Sequence, residues 1–65
     1  GDAMTRPDSL RALAAIEYDT ECAVRELFGA VRTVRHRGLP ADFSAAAKAR
    51  RRVTKELDAL VLELP

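Results

Sequence analysis

Apolar residues recur at spacings of three and four on both sides of a short Gly38-Leu39-Pro40 segment, which restricts the chain to paired amphipathic helices. The repeating positions are Leu10, Leu13, Val24, Leu27, Val31 and Val34 before the segment, and Phe43, Ala46, Val53, Leu57, Leu60 and Leu64 after it. Only 5% of the residues are aromatic, and the helix-favouring Ala, Leu, Arg and Glu dominate the composition. The sequence therefore predicts an all-α fold.

The ends of the two helices are indicated by local signals. The first helix is predicted over residues 5–37, with the Thr5 hydroxyl capping its first turn and Gly38 ending it. Pro40 prevents the first helix from continuing, and the second helix is predicted over residues 41–63. Because the turn between them is short, the helices should lie side by side as an antiparallel helical hairpin.

The predicted first helix is longer than the average helix of a soluble protein. A break near Asp19-Thr20, which would give a three-helix bundle, is therefore the alternative. The spacing of apolar residues keeps its phase from Leu10 to Val34, and this favours one continuous helix.

A chain of 65 residues forms one small domain, which buries only about 60% of the surface that the unfolded chain exposes. Disulfides cannot supply additional stability, because Cys22 is the only cysteine. Self-association or a larger parent protein is the expected source. Residues 1–3, which precede Met4, are interpreted as a cloning remnant, so that the domain comprises residues 4–65.

Two charged residues interrupt the apolar repeat. Pairing Val34 with Phe43 sets the register of the predicted hairpin, and Glu17 and Arg50 then fall at positions between the helices, each facing a leucine. A charge at such a contact is costly unless it has a partner. Within one hairpin the two charges lie too far apart along the helix axes to pair, at roughly 15 Å.

The apolar stripe is wider than two helices can cover, so a second helical layer is expected. A second copy would supply it as a four-helix-bundle homodimer with two-fold symmetry. With the two-fold axis near the level of Cys22, Glu17 of one chain lies level with Arg50 of the other. The residues predicted for this interface are Ile16, Glu17, Ala23, Phe28, Ala30, Arg50 and Val61.

Charge is divided between the middle of the chain and its ends. Nine of the 11 Lys and Arg residues fall between Arg25 and Lys55, with two acidic residues among them, a net +7. The remainder has two basic and eight acidic residues, a net −6. The basic residues that could bind a polyanion near the hinge are Arg32, Arg35, Arg37, Lys48, Arg51, Arg52 and Lys55.

No aromatic residues are interleaved with these basic residues to stack on bases. The basic region is therefore interpreted first as a solvated surface that complements an acidic one. Binding of nucleic acid by the hinge end, in a small regulator, is the alternative function.

The sequence holds no motif for catalysis, and we expect neither an enzyme nor a cofactor. One cysteine and one histidine, Cys22 and His36, are too few for a zinc site, and no Glu-x-x-His pair suggests a di-iron bundle. A free thiol, together with the absence of a signal peptide and of a long apolar run, favours a cytoplasmic setting. The predicted function is a non-enzymatic helical module for dimerisation, docking or regulation.

Overall fold

The computed structural model describes the backbone of residues 2–64 and the side chains of residues 8–64. Helix α1 spans Asp2–His36 and helix α2 spans Pro40–Glu63, and the two pack against each other as a hairpin. The described part of the chain contains no strand and measures 53 × 14 × 13 Å. The predicted all-α hairpin is confirmed, and α1 is continuous through Asp19 and Thr20.

The turn between the helices follows from Gly38 and Pro40. The N–H of Arg37 donates to the carbonyl of Thr33 at 2.9 Å and closes the last turn of α1. Gly38 then takes a φ of 65°, a left-handed conformation that only glycine adopts readily. Leu39 is extended, and Pro40 begins α2, where its missing N–H is not needed. The predicted termination signal is confirmed.

Asp42 fastens this turn and is almost entirely buried, with 5% of its surface exposed. Its carboxylate accepts hydrogen bonds from the Arg37 guanidinium, at 2.6 Å from Nη2 and 3.3 Å from Nε, and from the backbone N–H of Leu39 at 3.0 Å. The hydrogen bond from Arg37 holds the pKa of Asp42 below its usual range, with help from the Leu39 N–H and the positive charge of Arg37. The turn is therefore held by hydrogen bonds among its own residues.

Helix α1 begins at Asp2, earlier than the predicted start near Thr5. Ala3 and Met4 both have a high helix propensity, so the sequence before Thr5 does not stop the helix. The Thr5 hydroxyl, predicted as the cap, lies outside the described side chains.

The contact between the helices, called the seam below, uses a neighbouring set of positions and not the predicted set. The shielded positions that repeat at spacings of three and four are Leu13, Ile16, Thr20, Ala23, Leu27, Ala30 and Val34 in α1 and Asp42, Ala46, Ala49, Val53, Glu56 and Leu60 in α2. Ala23 and Ala49 are buried, at 0% and 3% exposed. Alanine at a contact lets two helices approach closely, which bulkier side chains prevent.

The predicted seam is therefore wrong at every second position. Leu10, Glu17, Val31, Phe43 and Arg50, which were predicted to lie between the helices, are exposed. Leu57 and Leu64 are exposed as well, and Val24 is only partly shielded beside them. The alternate positions of the predicted seam, such as Leu13 and Leu60, do lie between the helices. The hairpin is rotated so that small residues face each other and the larger ones point outward.

The axial register places the end of α2 well short of the start of α1. An ion pair joins Glu26 of α1 to Arg52 of α2. With this pair level, Glu63 at the end of α2 lies near the level of Ala15. The first turns of α1, residues 2 to about 14, therefore extend roughly 20 Å past the end of α2. We call this part of the hairpin the open end.

Candidate interaction surface

A second heptad stripe runs along each helix, rotated about 100° from the seam. Its residues are Leu10, Ala14, Glu17, Glu21, Val24, Phe28 and Val31 in α1, and Phe43, Ala47, Arg50, Thr54, Leu57, Val61 and Leu64 in α2. Because the helices are antiparallel, the rotation carries both stripes to the same side of the hairpin. We call this side the open face.

A groove at the open end shows that the two stripes share one side. It is lined by residues of the seam and of both stripes, namely Leu10, Leu13, Ala14, Glu17, Leu60 and Leu64. Its walls thus come from both helices, and its lining is apolar apart from Glu17. Part of the open face is therefore a concave apolar surface.

Most of the exposed large apolar side chains of the described residues lie on the open face. Of the ten large apolar side chains that are exposed, seven belong to the two stripes: Leu10, Val31, Leu57 and Leu64, with Phe28, Phe43 and Val61. Phe28, in the second half of α1, is 60% exposed. The other three are Tyr18, Leu39 and Leu62, which lie elsewhere on the surface. Contiguous apolar patches of this kind are uncommon on the surfaces of monomeric soluble proteins.

The opposite side of the hairpin, the back face, is polar. The ion pair between Glu26 and Arg52 crosses the helices there, and Lys48 and Lys55 are exposed beside it. Cys22 is partly buried and lies on the back-face side of α1. The hairpin therefore has one polar face and one apolar face. This is the pattern of a helical layer that packs against another layer through one of its faces.

The open face carries three charged residues, Glu17, Glu21 and Arg50, of which Glu17 and Arg50 are opposite in sign and interrupt the apolar stretches. Both are exposed in the hairpin, and Glu17 lies at the rim of the groove. Arg50 lies on α2 between Ala47 and Thr54 of the same stripe. Each charge is solvated as long as the open face is uncovered.

The other residues predicted for the interface divide between the open face and the seam. Phe28 and Val61 are exposed on the open face. Ile16 and Ala30 lie in the seam and are partly exposed. Ala23 is fully buried between the helices, so that its assignment to a surface that contacts a partner is wrong. The seam and the open face have the same heptad spacing, so only the packing of the two helices distinguishes their residues.

The seven basic residues near the hinge do not converge on one surface. Arg37 pairs with Asp42, and Arg52 pairs with Glu26. The remaining five are exposed and lie on different sides of the hairpin: Arg32, Arg35, Lys48, Arg51 and Lys55. This distribution favours a general positive field at the hinge end over a single binding surface.

Within the described residues, no three His, Cys, Asp or Glu side chains are grouped so that they could hold a metal ion. Neither helix, over the part that the structure describes, combines the length and apolar character needed to cross a membrane. Comparison of the chain with protein-family models, curated proteins and solved structures finds no match.

Proposed function

We propose that this chain is a non-enzymatic helical interaction module whose binding surface is the open face. The observation that supports the proposal is the gathering of seven exposed large apolar side chains on one side of the hairpin. Burial of a Leu, Phe or Val side chain stabilises an interface by roughly 1.5–3 kcal/mol. Because the buried core of the hairpin is small, burial of this face would be its largest additional source of stability.

A second copy of the hairpin is the simplest cover. It presents a face of the same width and the same apolar character, and two such layers make a four-helix-bundle homodimer. Two of the three charged residues of the open face also favour this partner, because Glu17 and Arg50 are opposite in sign and each copy carries both. Assembly through this face would be the basis of dimerisation, docking or regulation.

The proposal is tested with Phe28→Asp, which places a carboxylate among the apolar side chains of the open face. Burial of an unpaired charge is costly, so we expect the variant to sediment as a single chain at concentrations where the native chain is dimeric. Leu62→Asp is the matched control, since Leu62 is 84% exposed and lies off the open face. We expect the control to remain dimeric.

The helix content of both variants is measured by circular dichroism, because neither residue is buried in the hairpin. Dissociation of both variants alike, or of neither, would contradict the assignment of the open face as the binding surface.

A further inference from the structure

The open end of the hairpin leaves apolar surface that its own chain cannot cover. The first turns of α1 extend past the end of α2, and Leu10 is exposed there beside the groove. At the other end, the hinge is complete in itself and carries Phe43 as an exposed side chain. The two ends therefore differ in structure, because only α1 reaches the far side of the open end. They also differ in charge, because the hinge end is basic and the chain termini are acidic.

We propose that two copies pair through their open faces in antiparallel orientation, so that the hinge end of each covers the open end of the other. This inference rests on the proposed function and names the partner and its register. Antiparallel stacking sets the basic middle segment of one chain against the acidic termini of the other. Parallel stacking would place the two basic hinge ends together, and like charges at that contact repel each other.

The stripes of the open face support one antiparallel register. With the two-fold axis near the level of Cys22, the α1 stripe of one copy and the α2 stripe of the other run in the same direction. Their members then fall level with each other in order, from the first of each stripe to the last. The level pairs are Leu10 with Phe43, Ala14 with Ala47, Glu17 with Arg50, Glu21 with Thr54, Val24 with Leu57, Phe28 with Val61, and Val31 with Leu64.

Size and polarity match at each of these levels. The antiparallel two-fold places α1 across from the partner's α1, so each level pair joins diagonally opposed helices of the bundle. Within these levels alanine accompanies alanine, a carboxylate a guanidinium, a second carboxylate a hydroxyl, and the four remaining levels combine large apolar side chains. A charged pair of this kind is favourable only where both partners are present in good geometry. The register therefore gives each of the two interrupting charges a partner at its own level.

Shifting one chain by a heptad removes the match. In one direction Glu17 becomes level with Phe43, and Val24 with Arg50. In the other direction Leu10 becomes level with Arg50, and Glu17 with Leu57. Either shift buries both charges against apolar side chains, where an unpaired charge is costly. The sequence of the open face thus specifies the register against its nearest alternatives.

The same register covers the open end. Leu10, in the overhanging part of α1, lies level with the partner's Phe43 at the start of α2. The hinge of each copy then covers the groove at the open end of the other copy. In this arrangement the overhanging first turns of α1 pack along the hinge of the second copy.

Charge reversal tests the pairing of Glu17 with Arg50. Arg50→Glu is expected to weaken the dimer roughly 100- to 1,000-fold, because it leaves two carboxylates facing each other. Adding Glu17→Arg restores the opposite charges and is expected to bring the dissociation constant back to within about tenfold of the native value. Both residues are exposed in the hairpin, so helix content should not change.

Chemical crosslinking tests the register independently. In a Cys22→Ser background, a chain carrying both Ala14→Cys and Ala47→Cys should form a covalent dimer with a short bis-maleimide. Within one chain these positions are about 24 Å apart along the axis, too far for the reagent to join them. The two single-cysteine variants are the controls, and each should remain uncrosslinked.

The outcomes separate this inference from the proposed function. A native dimer that ignores the charge reversal and crosslinks equally through the single-cysteine variants would overturn the register and leave the interaction module standing. A native chain that is monomeric at all concentrations would overturn both the register and self-association.

Discussion

At the hinge end, Gly38 adopts a left-handed conformation and Asp42 binds both Arg37 and the backbone of Leu39, so the polar groups of the turn find partners within the chain. At the open end, α1 continues without a second helix beside it, and Leu10 and Leu64 stand exposed at a groove. The first region is complete in a single hairpin. The second acquires a complete apolar environment only when another layer covers it.

The comparison predicts that substitutions at the two ends act on different equilibria. At the hinge they should change the stability of the hairpin itself. At the open end they should leave the hairpin intact and change its association. Measuring both quantities on each variant distinguishes the two regions.

The largest effect is expected at the open end. Leu10→Ala should weaken dimerisation by about 2 kcal/mol, or roughly 30-fold, since the partner's hinge buries this side chain in the proposed dimer. Helix content at low concentration should be unchanged, because Leu10 is exposed in the hairpin. Analytical ultracentrifugation and circular dichroism check the two parts. Unchanged association together with a loss of helix would remove the distinction between the ends.

At the hinge, Gly38→Ala should lower the free energy of unfolding by about 1–2 kcal/mol, because a side chain disfavours the φ of 65° found there. Gly29→Ala is the matched control, since an added Cβ meets no atom within 4 Å inside α1. It should stabilise the hairpin by about 1 kcal/mol. Urea unfolding at a fixed protein concentration measures both. Equal signs for the two substitutions would contradict the account of the hinge.

Acid should weaken the hinge, because it removes the charge of the Asp42 carboxylate. The pKa of Asp42 is lowered in the folded chain, so its ionised form contributes stability that is fully present above the unfolded pKa of about 3.9. That stability is lost as the pH falls through the lower folded pKa. Asp42→Asn should therefore flatten the decline of the melting temperature below about pH 4. A decline as steep as that of the native chain would locate the acid-sensitive group elsewhere.

The hinge could be predicted from the sequence because its signals are local. Gly38 ends a helix through its own conformational freedom, and Pro40 cannot continue one, whatever surrounds them. The continuity of α1 through Asp19 and Thr20 likewise follows from an apolar repeat that never loses phase. The burial of Asp42 was missed, although an acidic residue at the third position of a helix is a known capping signal.

The seam could not be predicted in the same way, because two adjacent stripes both satisfy the heptad rule. The predicted seam took Phe43 and Val31 for their hydrophobicity, whereas the hairpin uses Ala23 and Ala49 for their small size. The choice depends on how closely two backbones approach, which is a property of the packed pair and not of either segment. The residues that were wrongly predicted to lie between the helices are the ones exposed on the open face, which is the candidate site.

The solution mass of the native chain, measured by light scattering over a range of concentration and salt, tests the central claim most directly. We expect twice the chain mass of 7.1 kDa, with a dimer that loosens as salt rises because the acidic and basic ends face each other. A mass of one chain at every concentration would contradict the claim that a second copy covers the open face.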